Sequence, residues 1–357
     1  VAQAILDEGG WLPFDRFMAL ALYAPGLGYY ARDDRQFGRM PQSGSDFVTA
    51  PELSPFFGRA LARQVAQVLE ATHTDEVFEF GAGSGALAEQ LLQALGDRVR
   101  RYAIVDVSGR LRARQALRLA PFGDRVRWLE AWPDTLHGVV LGNEVLDAMP
   151  VQLLRRGDAQ WQERGVVLAM ATPSASPAFA WADRPSAQRP PGDFDFEPGA
   201  ATEIHRQAEA YVRSLADRLQ LGAAFFIDYG FPEHEYYHPQ RSGGTLMCHR
   251  GHRADTEPLL DVGEKDITAH VNFSGIALAG QDAGLDVIGY TTQARFLMNC
   301  GLLDLLQGAG LPAIAAAQKL LNEHEMGELF KVIAFGRGLP AAFEPLGFAH
   351  GDRSHTL

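Results

Sequence analysis

Apolar positions along this chain follow two rhythms. In "PFFGRALARQVAQVLE", Phe57, Leu61, Val65 and Leu69 recur every fourth residue, which predicts an amphipathic helix with Pro55 near its first turn. From Glu76 the rhythm changes, and short apolar runs alternate with helix-period segments. "EVFEF" leads through a glycine turn into a helix ending near Leu95, and "YAIVDVS" (Tyr102–Ser108) leads into "GRLRARQALRLA". "RVRWLEAW" (Arg125–Trp132) and "GVVLGNE" (Gly138–Glu144) supply two more strands. Repeated strand–helix–strand units predict a parallel, doubly wound α/β sheet.

Elsewhere the pattern is looser. Residues 1–35 read as two helical pieces joined by "APGLGYY" (Ala24–Tyr30), followed by a polar, glycine-bearing loop over Phe37–Gly58. "VQLLRRGDAQWQERGVVLAM" reads as a hairpin around "RRGDAQ". The Pro-, Ser- and Ala-rich stretch after it reads as an insertion ending in a mobile loop. A helix over Thr202–Leu219 and the strand "GAAFFIDYG" (Gly222–Gly230) resume the core pattern. After a loop-rich segment to Asp266, "ITAHVNFSGIALAGQDAG" predicts a helix with Asp266 or Thr268 near its N-cap and His270 on its wall. The strand "LDVIGYTTQ", a helical insertion and the last strand, "LFKVIAFGRG" (Leu329–Gly338), complete the pattern. We therefore expect an N-terminal helical segment and loop over 1–74 and one α/β domain over 75–357. Insertions are expected near 151–200, 231–266 and 294–323.

Bulk composition narrows the function classes. The 357 residues are 46% hydrophobic and 21% charged, which is ordinary for a globular chain. A formal net charge of −12 argues against general binding to nucleic acid or to anionic membranes. No apolar run approaches the ~18 residues that a membrane span needs. Two cysteines, Cys248 and Cys300, cannot build a disulfide framework, which fits a reducing compartment. Lysine occurs only at Lys265, Lys319 and Lys331. That bias towards arginine suggests a GC-rich bacterial genome and hence a cytoplasmic protein; a eukaryotic source would imply the mitochondrial matrix.

The candidate chemistry begins at "VFEFGAGSGALAEQ". Glycines at a strand-to-helix turn let backbone N–H groups approach a ligand closely. "GAGSGA" fits the dinucleotide pattern G-x-G-x-x-A at Gly81, Gly83 and Ala86. It equally fits the G-x-G-x-G form of class I methyltransferases at Gly81, Gly83 and Gly85, with Ala82 between the first two. Glu79 favours the second fit, because a carboxylate there would oppose a pyrophosphate but can face the amino group of a sulfonium cofactor. Asp106, at the end of the next strand, can accept the ribose hydroxyls of either cofactor. Trp128 and Leu129 offer apolar walls for an adenine ring, with plain core packing nearly as good an explanation. Asn143 and Glu144 end the fourth strand, at the edge where open α/β sheets hold ligands. Glu144 and Asp147 stand three residues apart, so a helical turn would aim both at one pocket. Asp147 could equally cap that turn. "CHRGH" invites a zinc reading through Cys248, His249 and His252, but no fourth ligand stands at a familiar spacing. We expect no metal, and a loop near the substrate in which His252 makes a polar contact.

At "GNEVLDAMPVQLL" the chain resembles the MidA-like family of class I methyltransferases, which includes a mitochondrial complex I assembly factor that methylates protein arginine. "GYY", "SDFVTAPELSPFFG", "EFGAGSGALA", "FFIDYG" and "RGHRADTEPLLDVGEKDITAHVNF" also match, so the resemblance spans nearly the whole chain. It implies a mostly parallel seven-stranded class I methyltransferase sheet with an antiparallel last strand. It implies S-adenosyl-L-methionine as cofactor and S-adenosyl-L-homocysteine as product. It also implies a loop bearing Pro51 and Glu52 over the cofactor, and arginine in a complex I (NADH dehydrogenase) subunit as substrate. Two other classes remain open at this point. One is an NAD(P)-dependent oxidoreductase using the same turn, and the other is a non-catalytic assembly factor on the same fold.

Overall fold

A computed structural model describes residues 1–31, 48–106, 109–169, 178–192 and 194–357. Among the described residues the main sheet has eight strands: Val271–Asn272, which pairs in parallel with Gly230–Phe231, and seven others along one path. The seven are β1 (Glu76–Phe80), β2 (Arg101–Val105), β3 (Val126–Leu129), β4 (Leu136–Asn143), β5 (Leu219–Phe231), β6 (Asp286–Thr292) and β7 (Phe330–Arg337). Their spatial order is β3-β2-β1-β4-β5-β7-β6. The first five are parallel, and β7 runs antiparallel to both β5 and β6. The order reverses between β1 and β4, so the carboxyl ends of these strands open a crevice.

The sheet has helices on both faces. α1 (Phe14–Tyr23) and α2 (Pro55–Thr72) precede its first strand, and α3 (Ala86–Leu95), α4 (Gly109–Leu119), α5 (Arg206–Arg218) and α6 (Phe273–Asp282) come after it. Strand periodicity divides the core. In β5, Ala223, Phe225 and Ile227 join the α2 and α3 side, whereas Ala224 and Phe226 join the α5 and α6 side. That is why "AAFFI" reads as an unbroken apolar run, since a central parallel strand is covered on both faces. On α2, the predicted stripe of Phe57, Leu61, Val65 and Leu69 is buried. Ser54 caps that helix by accepting the Phe56 N–H.

Several elements differ from expectation. The two N-terminal helices, Ala2–Asp7 and α1, are separated at Gly9 and Gly10, both in the left-handed region, and not at "APGLGYY". The helix expected from Thr202 starts at Arg206, because Ala201–Ile204 pairs with Gln152–Arg156. The helix expected from Ile267 starts at Phe273, capped by the Asn272 side chain accepting the Gly275 N–H. Asp266 and Thr268 are therefore strand residues, and His270 stands before the helix. The segment expected to be loop-rich holds a three-stranded sheet of Met247–Arg250, Arg253–Asp255 and Asp266–Thr268.

The hairpin around "RRGDAQ" is present as Gln152–Arg156 and Trp161–Leu168. It belongs to a five-stranded antiparallel sheet with Leu12–Pro13, Phe179–Pro185 and Ala201–Ile204. Phe179–Pro185 lies within the stretch read as an insertion ending in a mobile loop. It is a strand because Phe179 and Trp181 pack against the core around Phe14 and Phe17, and Arg164 grips Asp183 through two hydrogen bonds of 2.9 and 3.1 Å. The expected loop over 37–47, the strand end at 107–108, and 170–177 and 193 lie outside the described residues.

Phe226 tests the packing of the site-bearing strands. It is fully buried against Tyr211 and Phe335, and its ring lies where a side chain at Gly142 would fall. Phe226→Ala should lower unfolding free energy by about 3–5 kcal/mol in chemical denaturation. A loss below about 1 kcal/mol would mean this face is not close-packed.

Candidate active site

A cleft of about 950 Å³ opens at the carboxyl ends of β1, β2, β4 and β5. Nine of the sequence-predicted residues line it: Pro51, Glu79, Gly81, Ala82, Gly83, Asp106, Asn143, Glu144 and Asp147. Gly81, Gly83 and Gly85 all have positive φ, of 64°, 52° and 78°, which explains why this turn requires glycine. Gly85 stands behind the cleft as the N-cap of α3, packed against Gln115.

Glu52 is not on the lining. It is buried and accepts from the Ser84 hydroxyl and, at 2.9 Å, from Arg118. Burial alone would raise its carboxyl, but these bonds outweigh it and hold the group below the usual glutamate value. Glu52 thus ties the Ala50–Leu53 helix, which carries Pro51, to the glycine turn. Trp128 also lies outside the lining. Its indole N–H donates to Gln115 at 2.9 Å, and Gln115 donates to the Gly83 carbonyl at 3.0 Å and to Asp106 at 2.9 Å. Leu129 packs into the core on the α5 side. The aromatic wall is instead Trp132, whose ring stacks obliquely on Phe80 at 4.3 Å and meets Tyr211 edge-on at 4.9 Å.

Two acids on the floor hold protons unusually well. Glu79 is buried and accepts from Tyr102 at 2.7 Å. Burial, with a smaller push from Asp106, raises it to about 7 against the pull of the Tyr102 bond. Glu144 is half-buried at the end of β4, with φ 54°, a left-handed conformation uncommon for glutamate. Asn143 donates to its Oε1 at 3.0 Å. Burial, and next the charge of Asp147, raise it to about 8.

The turn after Glu144 is held by Asp228, buried at the end of β5. Its Oδ2 accepts from the backbone N–H groups of Val145, Leu146 and Asp147 at 3.1, 2.9 and 3.2 Å. Asp147 is 5% exposed and accepts from the Tyr229 hydroxyl at 2.5 Å, and burial raises it to about 6. Asp147 Oδ1 and Asn143 Oδ1 are buried with no hydrogen-bond partner among the described residues. Buried acceptors left unpaired at a cleft point to a ligand that supplies donors.

The remaining candidates separate. His249 and His270 line the cleft. His252 sits exposed on the turn between Met247–Arg250 and Arg253–Asp255, and Cys248 is buried beneath the small sheet. Among the described residues, no group of three or more His, Cys, Asp or Glu side chains is arranged to hold a metal. Nor is any helix among them long and apolar enough to cross a membrane.

Comparison with known proteins decides the family. The model for the family described as "Putative S-adenosyl-L-methionine-dependent methyltransferase" matches residues 60–291, well over half the chain. This chain belongs to that methyltransferase family. It is 52% identical to a solved Burkholderia thailandensis protein bound to S-adenosyl-homocysteine, with a TM-score of 0.94, covering all of this chain and 95% of the other. The protein arginine methyltransferase NDUFAF7, mitochondrial, of Danio rerio is 27% identical over 356 residues, or 88% of this chain and 81% of that one. The Drosophila melanogaster homologue is also 27% identical, covering 95% and 85%. The dinucleotide alternative for the glycine turn therefore falls away.

Within this methyltransferase, the sequence reading missed Gln115, Arg118, Trp132, Asp228, Tyr229 and the pair Tyr23 and Tyr30 around the cleft. A signal existed for two of them. Asp228 and Tyr229 end an apolar strand in "FFIDYG", by the same rule that selected Glu79, Asp106 and Glu144.

The raised acids predict a pH dependence. Glu79 and Glu144 bind protons more tightly folded than unfolded, so the stability they confer is lost as pH rises from the ordinary glutamate value near 4.5 to about 7 for Glu79 and about 8 for Glu144. Burial lowers His205 and His270 to about 3 and 4, so they act in the opposite sense, but only below about pH 6.5. The Tm without cofactor should therefore fall between pH 6.5 and 8, and Glu144→Gln should make the fall shallower. An unchanged slope in the variant would show that Glu144 titrates normally.

Proposed function

We propose that this methyltransferase acts on an arginine side chain of a protein, and that a complex I (NADH dehydrogenase) subunit is the substrate whose assembly it aids. The observation that carries the arginine reading is the acidic floor, where Glu144 and Asp147 line one cleft and Asp147 keeps a buried, unpaired oxygen. A guanidinium is a planar cation with five donors and stays protonated at neutral pH, so carboxylates must orient it. The similarity to the NDUFAF7 proteins, named as arginine methyltransferases, supports the same reading.

The residues present fit S-adenosylmethionine. Asp106, steadied by Gln115, would accept the ribose hydroxyls. The backbone of Gly81, Ala82, Gly83 and Gly85 would allow close approach, with Pro51 above it. Glu79 and the unpaired Asn143 Oδ1 would receive the amino group, and Trp132, rather than Trp128 or Leu129, would flank the adenine. When bound, the cofactor supplies an electrophilic methyl group on a positively charged sulfur.

Methylation of a guanidinium leaves a guanidinium, so one proton must leave as the new C–N bond forms. Glu144 takes that proton, while Asp147, held by Tyr229, fixes the plane of the guanidinium. A carboxylate that rests near pH 8 in the open cleft and ionises beside a cation suits this transfer. Apolar walls of Tyr23, Met326, Leu329 and the buried Phe330 line the same cleft and would limit the water reaching the reacting groups.

The division of labour is testable. Asp106→Ala removes charge-assisted bonds worth roughly 1.5–3 kcal/mol each and should weaken S-adenosylhomocysteine binding about a hundredfold. Glu144→Gln should leave that affinity within about threefold and lower the methyl-transfer rate at least about a hundredfold. Calorimetry and transfer of labelled methyl to an arginine-bearing protein separate the two. Loss of cofactor affinity in Glu144→Gln, with normal turnover at saturation, would reverse these roles.

A further inference from the structure

A third acid approaches the same floor from a different part of the chain. Asp266 is 2% exposed and lines the cleft at the start of the strand Asp266–Thr268. The end of that segment is tied to the Glu144–Asp147 turn, since the Ala269 N–H donates to the Asp147 carbonyl at 3.0 Å. The Tyr30 hydroxyl donates to Asp266 Oδ1 at 2.9 Å. Tyr30 in turn stacks on Tyr23, with ring centroids 5.5 Å apart and planes 19° apart. Tyr23 is anchored through its hydroxyl to the Ala148 carbonyl at 2.9 Å, one residue past Asp147. Both tyrosines line the cleft.

We propose that Asp266, oriented by Tyr30 and flanked by the Tyr23 ring, is a substrate-binding residue that completes a slot selective for guanidinium over ammonium. The proposal rests on the arginine reading above and adds the residues that would confer its selectivity. Glu144 already accepts from Asn143 on Oε1, and Asp147 accepts from Tyr229 on Oδ2. Part of the accepting capacity of each is thus engaged, on Glu144 by the Ala50 backbone as well, and the five guanidinium donors call for a further acceptor. Asp266 supplies it from a segment hydrogen-bonded to that of Asp147. Its charge also bears on Glu144, which places the two carboxylates in one electrostatic unit. The buried, unpaired Oδ1 of Asp147 marks this floor as built to receive donors. A flat aromatic face beside the acids suits the delocalised guanidinium plane, whereas a compact ammonium has no plane to stack. Tyr30 acts through Asp266 and is a positioning residue.

The test needs no knowledge of the protein substrate. The full chain, saturated with S-adenosylhomocysteine, is titrated with ethylguanidinium and with propylammonium, followed by NMR. The wild-type protein should bind ethylguanidinium in the cleft at least tenfold more tightly than propylammonium. Asp266→Asn should weaken ethylguanidinium about tenfold and erase most of that preference, with S-adenosylhomocysteine affinity unchanged. Tyr30→Phe should give a smaller loss, about threefold, and carries the test if Asp266→Asn fails to bind S-adenosylhomocysteine. Wild-type selectivity that persists in the folded variants overturns the role of Asp266 while leaving the arginine reading intact. A wild-type cleft that takes no ethylguanidinium, or prefers propylammonium, overturns the arginine reading and the slot with it.

Discussion

The carboxylate of Asp228 receives three successive backbone N–H groups from Val145, Leu146 and Asp147, and the acidic floor of the cleft depends on that contact. Without an acceptor there, those donors would be buried and unpaired, each at a cost of about 1–3 kcal/mol. With it, the chain leaves β4 in a tight turn whose first residue, Glu144, sits at positive φ. That strained conformation persists because both sides are held, by Asp228 below and by the Glu144 N–H donating to the Ile227 carbonyl at 2.9 Å. The turn and its anchor come from neighbouring strands, β4 and β5, so the geometry of the acids is set by the centre of the sheet rather than by a surface loop.

The same logic explains the division of the cleft. On the β1 and β2 side, Gln115 joins the glycine turn to Asp106, and Arg118 with Glu52 joins that turn to the Ala50–Leu53 helix. Those links use neutral or paired groups, and they fix the side of the cleft proposed above to hold the cofactor. On the β4 and β5 side, acids crowd together without a basic partner in any hydrogen bond described at Glu144, Asp147 or Asp228, and burial raises all three above the ordinary carboxylate range. A site of that kind holds part of its charge back when empty and becomes more anionic when a cation arrives.

Much of this was legible in local pattern. Apolar runs located β1 to β5 along the chain, and an acid at the end of each apolar run located Glu79, Asp106 and Glu144. What pattern could not decide was direction and distance. "WLEAW" offers two tryptophans four residues apart. Trp128 lies within β3 and turns its indole to Gln115, whereas Trp132 follows the strand and reaches Phe80. Tyr30 and Asp266 are 236 residues apart and meet only in the folded chain. The helix expected from Ile267 begins late because residues 266–268 pair with Met247–His249 and Asn272 offers a better cap. In that case non-local pairing outweighed helical propensity.

The central claim is that the floor acids hold protons in the open cleft and surrender one to seat a guanidinium. Proton release measures it directly. The protein saturated with S-adenosylhomocysteine is titrated with ethylguanidinium at pH 7 in buffers of different ionisation enthalpy, and the calorimetric heats are compared. With Glu144 near 8 and Asp147 near 6, roughly one proton should leave for each cation bound. Binding without proton release would contradict the account, because the acids would then be ionised before the cation arrived.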